Sequence, residues 1–97
     1  MDEPLPEVLQ AEWSSDQLMQ LFADLSAGAE VQHVQLRTET IDATVPLSTA
    51  RDAFADGSAR AIQVRYRFED EVWCDTIMPG DPTTKIIRTR LPDHSQG

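Results

Sequence analysis

The segment 62–68 alternates strictly between apolar and polar side chains, and this pattern constrains the fold more than any other. The apolar members are Ile62, Val64, Tyr66 and Phe68, and the polar members are Gln63, Arg65 and Arg67. Alternation with a period of two places the apolar set on one face of a β-strand and the polar set on the other. The sequence therefore predicts a sheet with one buried face and one solvated face.

The segment after this strand predicts two more strands. Glu69-Asp70 indicates a turn into a strand over 72–78. Pro79-Gly80 fits the central positions of a type II turn, and a third strand follows over 84–91, ended by Pro92. The C-terminal half is therefore expected to be an antiparallel strand meander.

The length of the turn at Glu69-Asp70 decides which way Trp73 points. A two-residue turn places Trp73 opposite Tyr66 in the core, whereas a three-residue loop places it beside Arg67 on the solvated face. In the second case the arginine and the tryptophan would make a stacking site of the kind that binds single-stranded nucleic acid. The first register buries more apolar side chains and is the one expected.

A well-marked helix lies near the start of the chain. Ser14 and Gln17 have the spacing of a capping box, and Trp13 precedes the cap as the apolar residue of a hydrophobic staple. An apolar stripe at helical spacing follows: Leu18, Leu21, Phe22 and Leu25. Gly28 suits a left-handed C-cap that ends the helix.

Two further elements are predicted between this helix and the meander. Residues 31–38 predict a strand, although Val31 is out of step with the alternation there. Residues 38–45 fit either a loop or a strand extension. Residues 48–56 predict a second helix, capped by its first serine and closed by Gly57.

The order helix, strand, helix, strand, strand, strand predicts an α+β fold. The simplest arrangement is a two-layer sandwich, in which an antiparallel sheet of three or four strands carries two helices on one face. A chain of 97 residues is expected to form one domain. The expected organisation is a flexible acidic segment over 1–12, the domain over 13–91 and a polar tail over 92–97.

The charge of the chain argues against some partners. The net charge is −9, and residues 1–30 contain seven acids and no lysine or arginine. Such a chain is repelled by phosphate backbones and anionic membranes, so neither is an expected partner. The chain has one cysteine and no signal-peptide or membrane-spanning pattern, which favours a cytoplasmic location. The scarcity of lysine and asparagine hints at a GC-rich bacterial genome.

Five arginines are candidates for a basic patch on the solvated face of the sheet. They are Arg37, Arg65, Arg67, Arg88 and Arg90. Members of a pair two residues apart on a strand project from the same face, and arginine binds carboxylate or phosphate through two parallel hydrogen bonds. In the alternative, Glu69, Glu71 and Asp75 neutralise these arginines as ordinary cross-strand pairs.

Other site chemistries have weaker support. Cys74 can be combined with His33 as a base and with Asp75 or Asp42 as an orienting acid, but no spacing indicates such a site. One cysteine and two distant histidines, His33 and His94, lack the close pairing of zinc ligands. No glycine-rich phosphate loop is present. The sequence predicts no catalytic residue, metal or cofactor.

The expected function is that of a small cytoplasmic interaction or accessory protein. It would dock on a protein partner through the arginine-bearing sheet face or through the acidic N-terminal segment. Trp13 is the candidate anchor there, because tryptophan is over-represented among interface hot spots. The alternative is a small-ligand-binding protein or thiol-dependent enzyme centred on Cys74. The sequence favours a non-enzymatic role and does not determine the oligomeric state.

Overall fold

One antiparallel sheet organises the structure, a computed structural model that describes residues 8–91. Its strands are β1 Val8–Trp13, β2 Glu30–Arg37, β3 Asp42–Thr44, β4 Ala61–Phe68, β5 Glu71–Met78 and β6 Thr84–Leu91. The helices are α1 Ser15–Gly28 and α2 Leu47–Ala55. The six strands lie in the order β1-β6-β5-β4-β2-β3.

The predicted α+β class is confirmed, but three or four strands are too few. The strand β3 has three residues, which is too short for an alternation to be recognised. The strand β1 was expected to lie in a flexible segment, yet it pairs with β6 from Val8 opposite Thr89 to Trp13 opposite Thr84. The remaining N-terminal residues, 1–7, and the tail, 92–97, lie outside the described residues.

The helix α1 begins as predicted and ends differently. The Ser14 side chain accepts a hydrogen bond from the Gln17 backbone N–H at 3.2 Å, and the Ser14 N–H donates to the Gln17 side chain at 2.9 Å. This is the predicted capping box. The prediction of a left-handed cap at Gly28 is wrong. Gly28 is helical, and the chain leaves the helix at Ala29 with an extended backbone.

The helix α2 lacks the predicted serine cap. Pro46 occupies the N-cap position and makes no side-chain hydrogen bond to the helix. Proline at the boundary already has a φ compatible with helix entry, so the helix starts before Ser48. Gly57 follows the C-terminus with φ +85°, a left-handed conformation that suits glycine.

The turn between β4 and β5 has the predicted two residues. Glu69 and Asp70 have φ values of 54° and 67°, as a type I′ hairpin turn requires. Tyr66 consequently lies opposite Trp73, and Phe68 opposite Glu71. The register with Trp73 on the core side is therefore confirmed.

The predicted type II turn at Pro79-Gly80 is wrong, because Gly80 does not have a positive φ. Glycine is required there for a different reason. A Cβ atom on Gly80 would lie 2.7 Å from the backbone oxygen of Thr83. The close approach of two backbone segments, and not a left-handed conformation, fixes this residue.

A β-bulge explains why Val31 is out of step. The register between β2 and β4 shifts between Val31 and His33, so Gln32 is an extra residue. Val31 thereby lies opposite Tyr66, while Val34 lies opposite Val64 on the same side of the sheet. The sequence left the position of β2 open. It pairs with β4 on the side away from β5.

Both helices pack on one face of the sheet, which we call the helix face. The core joins the apolar stripe of α1 to side chains of the central strands, including Val64, Ile77 and Ile86, all of which are buried. The opposite face, which carries Arg65 and Ile87, has no helix over it within residues 8–91. We call it the open face. None of the described helices is long and apolar enough to cross a bilayer.

Candidate functional site

The five candidate arginines do not share one face of the sheet. Arg65 and Arg67 alternate with buried residues of β4 and project from the open face, as does Arg37 of β2. Arg88 lies directly opposite Asp75, which is completely buried, so it belongs to the helix face together with Arg90. The expected single patch is therefore corrected to three arginines, with Arg88 and Arg90 removed from it.

The arginines of the open face are not neutralised by neighbouring acids. Within residues 8–91, the side chains of Arg37, Arg65 and Arg67 make no hydrogen bond or ion pair. Glu30 lies opposite Arg67 and Asp42 lies opposite Arg37 in the strand register, but neither forms an ion pair with that arginine. The three guanidinium groups are available to an external carboxylate.

Half-exposed apolar and small polar side chains lie beside these arginines. Cys74 is the cross-strand neighbour of Arg65, and Val72 is the neighbour of Arg67. Ile87, Thr89 and Leu91 continue this strip on β6. The centre of the open face is thus a mixed surface, in which exposed cations border partly exposed aliphatic groups.

The helix face contains a closed charge network. The Nε and Nη2 atoms of Arg88 donate to the two carboxylate oxygens of Asp75 at 2.9 and 2.8 Å. The Tyr66 hydroxyl lies 3.2 Å from each of the same oxygens and donates to the carboxylate. All buried side-chain polar atoms of the described residues have partners. The network satisfies a buried carboxylate and is structural.

Burial and hydrogen bonding change the acidity of this network. Burial raises the pKa of Tyr66 far above its usual value, and the neighbouring Asp75 carboxylate raises it further. The hydroxyl therefore stays protonated and acts as a donor. The hydrogen bonds to Asp75 also raise the pKa of Arg88, so the guanidinium remains charged.

Arg90 also has a partner on the helix face. Its Nη1 atom lies 3.3 Å from the Glu71 carboxylate, and both side chains are partly exposed. Cross-strand neutralisation, the alternative considered for the arginines, thus occurs for Arg88 and Arg90. It does not occur for the arginines of the open face.

The two tryptophans both belong to the helix side. Trp13 ends β1, lies opposite Thr84 and packs partly buried against the core. Trp73 is also partly buried against the core. Since Arg67 projects from the open face, Trp73 and Arg67 do not form the stacking site that the other register would have created.

Cys74 lacks the surroundings of a catalytic thiol. Burial and the adjacent Asp75 raise the pKa of the Cys74 thiol, which disfavours the nucleophilic thiolate. His33 lies across the open face with Arg65 between the two, roughly 10 Å away at ordinary strand spacing. The His33 Nε2 atom is instead 3.1 Å from the Gln35 side-chain oxygen.

The other acids proposed for this site are also engaged or distant. Asp75 faces the opposite side of the sheet from Cys74, and Asp42 accepts a hydrogen bond from Gln35 at 2.7 Å. The described residues include no group of three or more histidine, cysteine or acidic side chains placed to hold a metal ion.

Sequence reasoning considered Asp75 as a cross-strand partner of the arginines but missed that Asp75 and Arg88 pair on the buried face of the sheet. A signal was present: Asp75 is two residues from Ile77, and Arg88 is two residues from Ile86. The alternation therefore places both charged side chains on the core side of their strands, where unlike charges are expected to pair. This inference needs the register of β5 against β6, which the sequence of the 79–83 loop does not give.

The chain matches no protein-family model, no curated protein and no solved structure at a significant level. No residue therefore acquires a role from a relative.

Proposed function

We propose that this chain is a small interaction protein that docks on a protein partner through the open face of its sheet. Arg65 and Arg67 are the principal anchors, and Arg37 extends the contact toward β2. The proposal rests on one observation: these exposed guanidinium groups have no partner among residues 8–91, whereas the arginines of the helix face are paired.

The chemistry of the open face defines the partner. Arginine and apolar groups together favour a segment that carries carboxylates between apolar side chains. Arg65 and Arg67 would bind the carboxylates, and the strip that contains Val72 and Ile87 would bury the apolar groups. The net charge of −9 disfavours a general electrostatic attraction to carboxylates. Binding would therefore depend on this local cationic surface.

The test is capture of the partner with charge-reversed variants. The wild type, Arg65→Glu/Arg67→Glu and the matched control Arg51→Glu/Arg60→Glu are tagged and compared in cell lysate. The control makes the same charge change at two exposed arginines of α2 and the loop that follows it. Arg88 is left unchanged, because a glutamate there would face the Asp75 carboxylate and destabilise the fold.

The measurement continues with the purified partner and a binding isotherm. We expect the control to bind like the wild type and the open-face variant to lose at least tenfold in affinity, since each charged contact is worth about 1.5–3 kcal/mol. Equal binding by all three proteins would overturn the open-face assignment. In that case, loss of binding on removal of residues 1–7 would assign the contact to the acidic N-terminal segment.

The thiol-dependent alternative predicts a different result. A catalytic Cys74 would react with a thiol reagent in the folded protein with an apparent pKa well below about 8.5. The raised pKa and partial burial of this thiol predict the reverse, namely slow modification that accelerates on unfolding. A pH profile of the modification rate, with and without denaturant, distinguishes the two hypotheses.

A further inference from the structure

A cavity of about 390 Å³ opens at the end of the helix face that carries the turn between β4 and β5. Three aromatic side chains contribute to its wall: Tyr66, Phe68 and Trp73. The whole chain has six aromatic residues, so half of them meet here. The volume is within the range of small-ligand sites, about 300–1,000 Å³.

The strand register brings the three rings together. Tyr66 lies directly opposite Trp73, and Phe68 is the diagonal neighbour of Trp73 on the same face. Phe68 is 44% exposed although it is a large aromatic residue. Leu9 of β1, half exposed, lines the other side of the cavity. Of the three rings, Phe68 is therefore open to solvent and Trp73 partly so, whereas Tyr66 is buried behind them.

Two carboxylates line the same cavity, those of Glu69 and Glu71. Glu71 is paired with Arg90, whereas Glu69 has no hydrogen bond or ion pair within the described part of the chain. Glu69 is also held at φ +54°, a left-handed conformation that costs a non-glycine residue energy.

The positive charge of the arginine in the cavity wall is offset by its paired carboxylate, which disfavours an anion site there. The Nε and Nη2 atoms of Arg88 are both bound to Asp75. An anion at Arg88 would also meet the Glu69 and Glu71 carboxylates. Among residues 8–91, Asp75 is paired with Arg88 and Glu71 with Arg90, whereas the Glu69 carboxylate has no ion-pair partner.

We infer that this cavity binds an organic ammonium cation, either a free quaternary amine or the methylated lysine side chain of a partner. The faces of aromatic rings attract such cations, and recognition improves when several rings surround the ligand. The Glu69 carboxylate supplies the opposite charge at the rim. A neutral apolar ligand would bury the same area but would also have to desolvate the carboxylates without compensation.

The site is on the opposite side of the sheet from Arg65 and Arg67, so it goes beyond the proposed docking function. Neither depends on the other. The protein-capture experiment can fail while the cation site stands, and the reverse also holds.

The test is a titration of the full chain with choline chloride. The matched probe is its neutral isostere dimethylbutanol, with ionic strength held constant by sodium chloride. Amide and indole chemical shifts report binding. We expect saturable shifts for choline, concentrated at Phe68, Glu69 and Trp73, and much weaker binding of the neutral probe. Equal affinity for both probes, choline shifts centred elsewhere, or no saturable binding would each overturn the proposal.

Two variants and a control test the assignment of residues. Glu69→Gln removes the rim charge and Phe68→Leu removes one ring, and each is expected to weaken choline binding about three- to tenfold. Both side chains are exposed, so the fold should tolerate the changes. Glu39→Gln, which neutralises an exposed acid outside the cavity lining, is expected to bind choline like the wild type. Loss of affinity in the control alone would contradict the assignment.

A second titration distinguishes the two sources of the cation. The probe is the trimethyllysine amide, acetylated at its α-amino group, in comparison with choline. Tighter binding of choline supports a free quaternary amine, and tighter binding of the lysine derivative supports a partner side chain. Failure of both probes to bind would overturn the site.

Discussion

The arginines on the two faces of the sheet differ in whether they are paired with a carboxylate. On the helix face, Arg88 is bound by the fully buried Asp75 carboxylate at 2.8–2.9 Å, and Arg90 is paired with Glu71. On the open face, Arg65 and Arg67 have no partner among residues 8–91. Each of these four arginines lies two residues from another arginine on the same strand, so the sequence pattern alone does not distinguish them.

The difference shows that pairing, and not the number of arginines, separates a structural cation from one that is available to a partner. A buried carboxylate requires a fixed counter-charge, because an isolated charge is costly in the protein interior. An exposed arginine does not require a fixed counter-charge. The free energies of unfolding of variants at the two faces should therefore differ.

The largest effect is expected for Asp75→Ala. Removal of the carboxylate leaves the inward-facing guanidinium of Arg88 without a counter-charge and Tyr66 without its acceptor. We expect a loss of about 3–5 kcal/mol in the free energy of unfolding, measured by chemical denaturation. The control is Glu71→Gln, which breaks the exposed pair with Arg90 and should cost less than about 1 kcal/mol. Similar losses in the free energy of unfolding for the two variants would contradict the difference between the buried and the exposed pair.

A smaller loss is expected for Tyr66→Phe, together with a change in pH dependence. The variant loses a buried hydrogen bond to a carboxylate, worth about 1.5–3 kcal/mol. The pKa of Tyr66 is raised in the folded state, so its stabilising contribution is fully present below the unfolded pKa of about 10. It is lost as the pH rises from there toward the folded pKa.

The measurement is a series of unfolding curves at alkaline pH for the wild type and the variant. Their difference isolates the tyrosine from the Cys74 thiol, whose pKa is also raised. The sequence contains one tyrosine, so its ionisation can also be followed directly by absorbance. Parallel pH dependence of the two proteins would contradict the position assigned to the hydroxyl.

A gain in stability is expected for Asp70→Gly. Asp70 has φ +67° in the turn at the edge of the helix face, where glycine is free of the steric cost that other residues bear. The substitution should raise the free energy of unfolding by about 1 kcal/mol. It leaves Glu69 in the cavity wall, so choline binding should stay unchanged. Destabilisation by Asp70→Gly would indicate a different turn geometry.

The smallest effect is expected for Arg65→Ala and Arg67→Ala. These exposed side chains make no hydrogen bond or ion pair within residues 8–91, so each substitution should change the free energy of unfolding by less than about 0.5 kcal/mol. Denaturation curves of the single variants provide the measurement. A loss above about 1.5 kcal/mol at either position would mean that the open face also depends on its arginines for folding.

The sequence predicts the parts of the fold whose signals are local. The alternation of 62–68 gives β4, the polar pair Glu69-Asp70 gives the hairpin, and Ser14 with Gln17 gives the start of α1. Each of these signals lies within a few residues of the structure it specifies. The α+β class follows from them.

The errors concern features that depend on contacts distant in sequence. Leu9, Ala11 and Trp13 do alternate with polar residues. This six-residue segment can nevertheless be recognised as an edge strand only from its pairing with β6. The separation of Arg88 from Arg65 likewise depends on the register of β5 against β6. The cavity combines side chains of four strands with a turn, so no single stretch of sequence contains it.

The two-residue turn at Glu69-Asp70 has a consequence for how the sequence can vary. Exposed hairpin loops ordinarily tolerate insertions. Here one added residue would exchange the two faces of β5 relative to β4. Cys74 would then face the core and Asp75 would face solvent. The length of this turn is therefore as constrained as the identity of a core residue. Insertions and deletions in homologous chains should be found in other loops and be excluded from this one.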